Sequence, residues 1–115
     1  MPPKEKPTRS QRQRVYIPKK TTLKKYGLTL TDYREMKADQ DKLCPVCEKT
    51  PKNEKFVIDH EHVPGWAKLP QKERKKYVRG LLCFFCNRYY LARNITARKA
   101  ENVASYLRNY QTRNS

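Results

Sequence analysis

Residues 83–87 read Cys83-Phe84-Phe85-Cys86-Asn87, and they answer an earlier Cys44-Pro45-Val46-Cys47 across the 35 residues from 48 to 82. Each C-x-x-C pair can offer two thiolates from one tight turn, and two such turns complete a tetrahedron around zinc. A thioredoxin-like redox motif would place one pair inside a βαβ pattern, which this sequence lacks. Two disulfides would require an oxidising compartment. Met1 to Arg14 is rich in Lys, Arg, Pro and Gln and holds no apolar stretch of the signal-peptide kind. The expected setting is therefore intracellular, cytoplasmic and reducing. Cys44, Cys47, Cys83 and Cys86 are expected to hold one zinc ion, and with four thiolates that ion has no open position and is structural.

What lies between the two pairs is the more informative half. Lys55 to Asp59 reads as a short apolar strand, and it ends on Asp59-His60-Glu61-His62, which contains both histidines of the chain. If the strand continues, Asp59 and Glu61 face one way and His60 and His62 the other, although a bulge at a strand end would re-aim them. A polar solvated turn is the bland alternative. Phosphodiester cleavage needs a base near neutrality, for which His is suited, and a hard cation held by oxygen ligands. Asp59 and His60 stand side by side, and Asn87 directly follows the last cysteine. A zinc ion on Cys86 would bring Asn87 close to the strand end that carries Asp59.

The rest of the chain supplies context. With 115 residues there is room for one domain with a thin core. Zinc binding worth roughly 10–16 kcal/mol would be comparable to a whole domain's stability. Lys and Arg number 27 against 11 Asp and Glu, a net charge of +16. Such a charge calls for a polyanionic partner, with nucleic acid ahead of a membrane surface. The chain has no long apolar run and no clean basic amphipathic helix to lie on lipid.

Residues 1–20 read as a flexible basic arm, either lying along phosphates or serving as a solubilising tail, and residues 21–115 as the domain. Thr22 to Tyr26 suggests a helical turn or two closed by Gly27. Thr29 caps a second helix running to about Asp39, with Asp32 answering the first free amides and Leu30, Tyr33 and Met36 on its core face. Val63 to Lys76 reads as a basic loop, and Tyr77 to Leu82 as a second strand. A helix from Cys83 to about Leu91 is expected to pack through its aromatic residues. A last helix spans roughly Thr96 to Tyr110, with Ala100, Val103, Ala104 and Leu107 at helical spacing.

Val57-Ile58-Asp59-His60-Glu61-His62, then Val78-Arg79-Gly80-Leu81-Leu82-Cys83, then Cys86-Asn87 resemble the phage recombination endonuclease VII family, a branch of the HNH, or His-Me finger, nucleases. Tyr26-Gly27-Leu28-Thr29 resembles the lead-in of that family, and the likeness covers roughly Tyr26 to Leu91. It implies an α+β, mostly helical fold: a ββα-metal finger stapled by a four-cysteine zinc, with flanking helices. It also implies Asp59 and Asn87 as ligands of a catalytic magnesium ion, with manganese able to replace it, and His60 as the general base. His62 would hold the scissile phosphate or support the site, and the products would be a 5′-phosphate and a 3′-hydroxyl. Two features depart from the pattern. Fourteen residues, Val63 to Lys76, stand where many members have a short link, and Tyr90 stands where the best-known resolvases carry a glutamate.

Phosphate contacts are expected from the arm, from the Lys68 to Lys76 loop including Lys75 and Lys76, and from Arg79, Arg88 and Arg93. Trp66 either stacks on a base or caps the core. No helix carries the residues that read base edges, so recognition of DNA shape is expected. The expected function is that of a metal-dependent DNA endonuclease acting on branched DNA, as a Holliday junction resolvase does, with a homodimer supplying two cuts. The competing functions are an HNH nicking enzyme on ordinary duplex, RNA cleavage by the same finger, and a non-catalytic zinc module that binds nucleic acid.

Overall fold

The computed structural model describes residues 14–91 and 95–113. Two short helices, α1 (Lys20–Lys25) and α2 (Leu30–Asp39), precede a strand, β1 (Val57–His60). After a one-turn helix, α3 (Gln71–Arg74), the chain returns as β2 (Val78–Leu82) and runs directly into α4 (Phe84–Tyr89). A longer helix, α5 (Ala97–Arg113), follows.

Local chemistry accounts for the first boundaries. α1 ends with the Leu28 amide donating to the Leu23 carbonyl and the Gly27 amide to that of Lys24, the paired bonds of a Schellman motif. That motif needs a left-handed residue, and Gly27 sits at φ +72° with the Gln71 main chain so close that a Cβ would collide with it. α2 opens on a capping box: Asp32 N–H donates to Thr29 Oγ1 at 3.1 Å, and Thr29 N–H donates to Asp32 Oδ2 at 2.9 Å.

β1 and β2 pair antiparallel, with Val57 opposite Leu82, Ile58 opposite Leu81, Asp59 opposite Gly80 and His60 opposite Val78. A two-stranded ribbon alone is marginal in water, and two attachments support this one. One face packs Ile58, Leu81 and Leu82 into a core with Leu23, Leu28, Tyr33 and Phe56, which Cys44 and Cys86 complete. Fully burying each such large apolar side chain contributes about 1.5–3 kcal/mol. The outer edge of β2 is closed by one side chain: Gln40 Oε1 accepts from Leu81 N–H at 2.9 Å, and Gln40 Nε2 donates to the Leu81 carbonyl at 2.8 Å. The amide thus does for Leu81 what a third strand would do, and it ties the end of α2 to the sheet.

Several expectations need correcting. Val63 to Lys76 is not a plain loop: it holds 3-10 turns at Trp66–Lys68 and Lys75–Tyr77 around α3. The helix after Cys83 does not pack through its aromatic residues. Phe84, Phe85, Tyr89 and Tyr90 are all exposed, and the anchors are buried Cys86 and half-buried Leu91. The cysteine side chains occupy the inward face and leave the aromatic ones outside. α5 buries none of its residues, and Val103, Tyr106, Leu107 and Tyr110 lie open. Residues 1–13 of the expected basic arm lie outside the described residues. Residues 14–19 run against the domain, where Tyr16 N–H donates to the Asn53 carbonyl at 2.7 Å and Pro18 is buried. Arg93 also lies outside the described residues.

Candidate nuclease site

The first cysteine turn is closed by main-chain bonds from Cys44 N–H to the Lys49 carbonyl and from Glu48 N–H to the Cys44 carbonyl, both at 2.8 Å. The second begins where β2 ends. Cys83 caps α4, its sulfur accepting from Cys86 N–H at 3.4 Å. The four sulfurs lie within 4.8 Å of one another, with Cys47 and Cys83 Sγ 3.9 Å apart. Zn–S bonds of about 2.3 Å in a tetrahedron put sulfurs roughly 3.8 Å apart, so the cluster fits a zinc ion. All four are free thiols, not disulfides. Burial opposes ionisation of Cys44, but amides of Cys47, Cys83 and Val46 outweigh it and bring the thiol down to about 7. Burial, with the neighbouring sulfurs, pushes Cys86 up. Binding of a metal would release the thiol protons to solvent.

At the far end of the ribbon the register slips between Asp59 and His60. Asp59 is buried, at 6% exposure, and Arg79 from β2 grips it with both arms of its guanidinium. His60 is half-buried and surrounded by rings. Trp66 lies 4.4 Å away at an interplanar angle of 31°, His62 at 4.6 Å and Tyr26 at 5.4 Å. His60 and His62 therefore lie side by side, although β1 ends at His60 and strand alternation does not extend to His62.

The insertion supplies the lid of this ring cluster. Arg74 donates to the carbonyls of Leu69 at 3.0 Å, Lys25 at 3.0 Å and Ala67 at 2.7 Å, and its guanidinium carbon stands 5.1 Å above the Trp66 ring. One side chain thereby fastens the insertion to the end of α1 and presses Trp66 toward His60. Trp66 packs on the imidazole, and its Nε1 is buried without a hydrogen-bond partner among the described residues. Burial is the largest influence on His60 and lowers its pKa; His62, Lys25 and Arg79 add to this and Asp59 opposes it. Its imidazole is neutral at pH 7, the form that accepts a proton.

α4 packs on β1. Half-buried Asn87 lines a cavity of about 280 Å³ together with Ile58, Tyr26 and Phe84. Ile58, which shares that cavity, precedes Asp59 in β1, and Asp59 itself does not line it. The basic residues fare differently. Arg88 is exposed. Lys75 pairs with Asp32 at 3.2 Å and Lys76 with Glu73 at 2.9 Å, bonds exposed enough to be exchanged at little cost. Arg79 is occupied by Asp59. Sequence reasoning missed three residues here. Gln40 and Arg74 carry no signal, since a lone polar residue at a helix end or in a basic stretch says nothing of its partner. Tyr26 stood inside a quoted motif without a role.

The family model for recombination endonuclease VII matches residues 19–109. Among curated proteins, the chain is 33% identical over 67 residues to the Gene 59 protein of Mycobacterium phage D29, and equally to that of Mycobacterium phage L5. Those alignments cover 57% of this chain and 34% of each relative, so the chain spans about a third of the length of the curated relatives it matches. No solved structure matches the chain significantly.

Proposed function

The chain belongs to the recombination endonuclease VII family, and on that premise we propose that it is a metal-dependent DNA endonuclease of the ββα-metal, or His-Me finger, kind, selective for branched DNA. The observation that carries this reading is the unit β1–β2–α4. Asp59 and His60 end one strand, the helix bearing Asn87 packs on that strand, and four clustered thiols hold the helix's first turn.

In this reading Cys44, Cys47, Cys83 and Cys86 hold the structural zinc, and Asp59 and Asn87 offer their oxygens to magnesium or manganese. The cation would supply charge stabilisation at the phosphate and the leaving oxygen. His60, neutral and fixed between Trp66, Tyr26 and His62, takes the proton from the attacking water. His62, exposed beside it, donates to the scissile phosphate. The water oxygen bonds to phosphorus as the P–O3′ bond breaks, and the leaving 3′-oxygen takes a proton from solvent, giving a 5′-phosphate and a 3′-hydroxyl.

Substrate selectivity follows from charge and shape. The net charge of +16 supplies phosphate contacts, with Arg88, Lys75 and Lys76 among them, and these position without reading sequence. Two symmetric cuts in a junction need two sites, and the exposed apolar residues of α5 are the surface we assign to a second copy. No helix among the described residues is long and apolar enough to cross a membrane, and the mycobacteriophage relatives favour action in the cytoplasm of a bacterial host.

The test is cleavage of a labelled four-way junction beside a matched linear duplex with magnesium. Symmetric cuts in the junction support the full reading. Equal nicking of both keeps the endonuclease and removes the selectivity. Binding of both with cleavage of neither would leave a zinc-containing nucleic-acid-binding module.

A further inference from the structure

Between the pairs Asp59–Gly80 and His60–Val78, β2 carries one residue more than β1, and that residue is Arg79. A bulged residue leaves the strand's alternation and can aim its side chain along the sheet. Arg79 turns onto Asp59, with Nε 2.8 Å from Oδ2 and Nη2 2.9 Å from Oδ1. Both carboxylate oxygens are taken. The Asp59 side chain keeps 7% of its surface exposed, whereas that of Arg79 keeps 38%. A magnesium-sized cation retains several waters and needs an open face on its carboxylate. The face that Asp59 offers is covered by a group with the cation's own sign of charge.

We propose that Arg79 is a positioning residue that neutralises Asp59 while no divalent cation is bound and gives up the carboxylate when one arrives. This rests on the reading above that Asp59 is a cation ligand. A carboxylate so buried is costly without a partner, so the chain keeps a positive group on it in both states. The exchange is one for one. Two Arg79 hydrogen bonds break, Asp59 passes to the cation, and the guanidinium is released one residue from the partner of His60. There its planar fork suits a phosphate.

The experiment titrates Mn²⁺ into the full zinc-loaded chain without DNA and follows free Mn²⁺ by electron paramagnetic resonance. Wild type, Arg79→Met, Arg79→Lys and Asp59→Asn are compared. Arg79→Met is expected to bind Mn²⁺ roughly tenfold more tightly, the size expected for loss of a competing charge-assisted pair. Arg79→Lys, which keeps the charge without the fork, falls between. Mn²⁺ should also raise the Tm of Arg79→Met more than that of wild type. Unchanged or weaker binding in Arg79→Met, with wild-type zinc content and circular dichroism, overturns the proposal. If Arg79→Met does not fold, Arg79→Lys decides: tighter binding supports the proposal and unchanged binding overturns it. Mn²⁺ binding that survives Asp59→Asn, or is absent from every variant, removes Asp59 as a ligand and the exchange with it.

Discussion

Trp66 lies against His60 because Arg74 holds it there, and the consequence is an imidazole screened from water on one face. The imidazole's ordinary pKa is 6.5, and burial lowers it. The sign follows directly: protonation is disfavoured in the folded site, so His60 keeps its neutral form to lower pH than an ordinary imidazole. The acid limb of the cleavage rate should therefore lie below pH 6.5. Trp66→Ala, by opening the ring to water, should move that limb up toward 6.5, and Trp66→Phe should restore it. A limb that does not move in Trp66→Ala would disconnect the stacking from the chemistry. The same depression makes His60 contribute stability that is present above its unfolded pKa and is lost as pH falls from there through the lower folded value. At this scale the four clustered cysteines were legible, because C-x-x-C spacing is a chemical statement in itself. The sequence did not show that Arg79 is spent on Asp59, since a register slip depends on the whole ribbon. Nor did it show that Trp66 covers His60, because that contact is fixed by Arg74 through three carbonyls, one of them 49 residues away in α1.

Elements were legible where their signals are local. The glycine stop at Gly27 and the capping box of Thr29 and Asp32 are written in neighbouring residues, and α1 ends and α2 begins where they place them. Thr29→Ala should cost about 1 kcal/mol, read as a lower Tm with unchanged zinc content. Gln40 is the opposite case. Its two bonds to Leu81 span 41 residues of chain, so nothing beside it announces them. Gln40→Leu leaves the Leu81 amide and carbonyl unpaired, and should lower stability by about 1–3 kcal/mol and speed hydrogen exchange at the Leu81 amide. Exchange at the wild-type rate would show that the sheet edge has another partner. The 3-10 turns and α3 in the insertion were read as loop because three- and four-residue helices carry no periodicity. Hydrophobicity alone would place the aromatic residues of α4 inside. The cysteines took the inward positions, which left Phe84, Phe85, Tyr89 and Tyr90 for the surface.

The molecule as a whole is a thin core joined to a four-thiol cluster, and the two are one structure, since Cys44 and Cys86 belong to both. Chelating zinc should unfold the domain, seen as loss of the far-ultraviolet dichroism, while withholding magnesium should stop cleavage and leave the fold intact. A fold that survives zinc removal would mean that the apolar core suffices. The net charge of +16 predicts steep salt dependence of DNA binding. About six to ten phosphate contacts would cost roughly 10³–10⁵ in affinity between 50 and 200 mM salt. At this scale charge and family were legible from composition and motif, whereas the exposure of α5 was not, because an amphipathic pattern gives a face without its partner.

The central claim is that His60 activates the water that cuts the phosphodiester. Its most direct test is single-turnover cleavage of a labelled four-way junction by wild type and His60→Ala, with magnesium, saturating enzyme and matched zinc content. His60→Ala should lose about 10²–10⁴-fold in rate with DNA affinity unchanged. Cleavage by His60→Ala at the wild-type rate would contradict the claim.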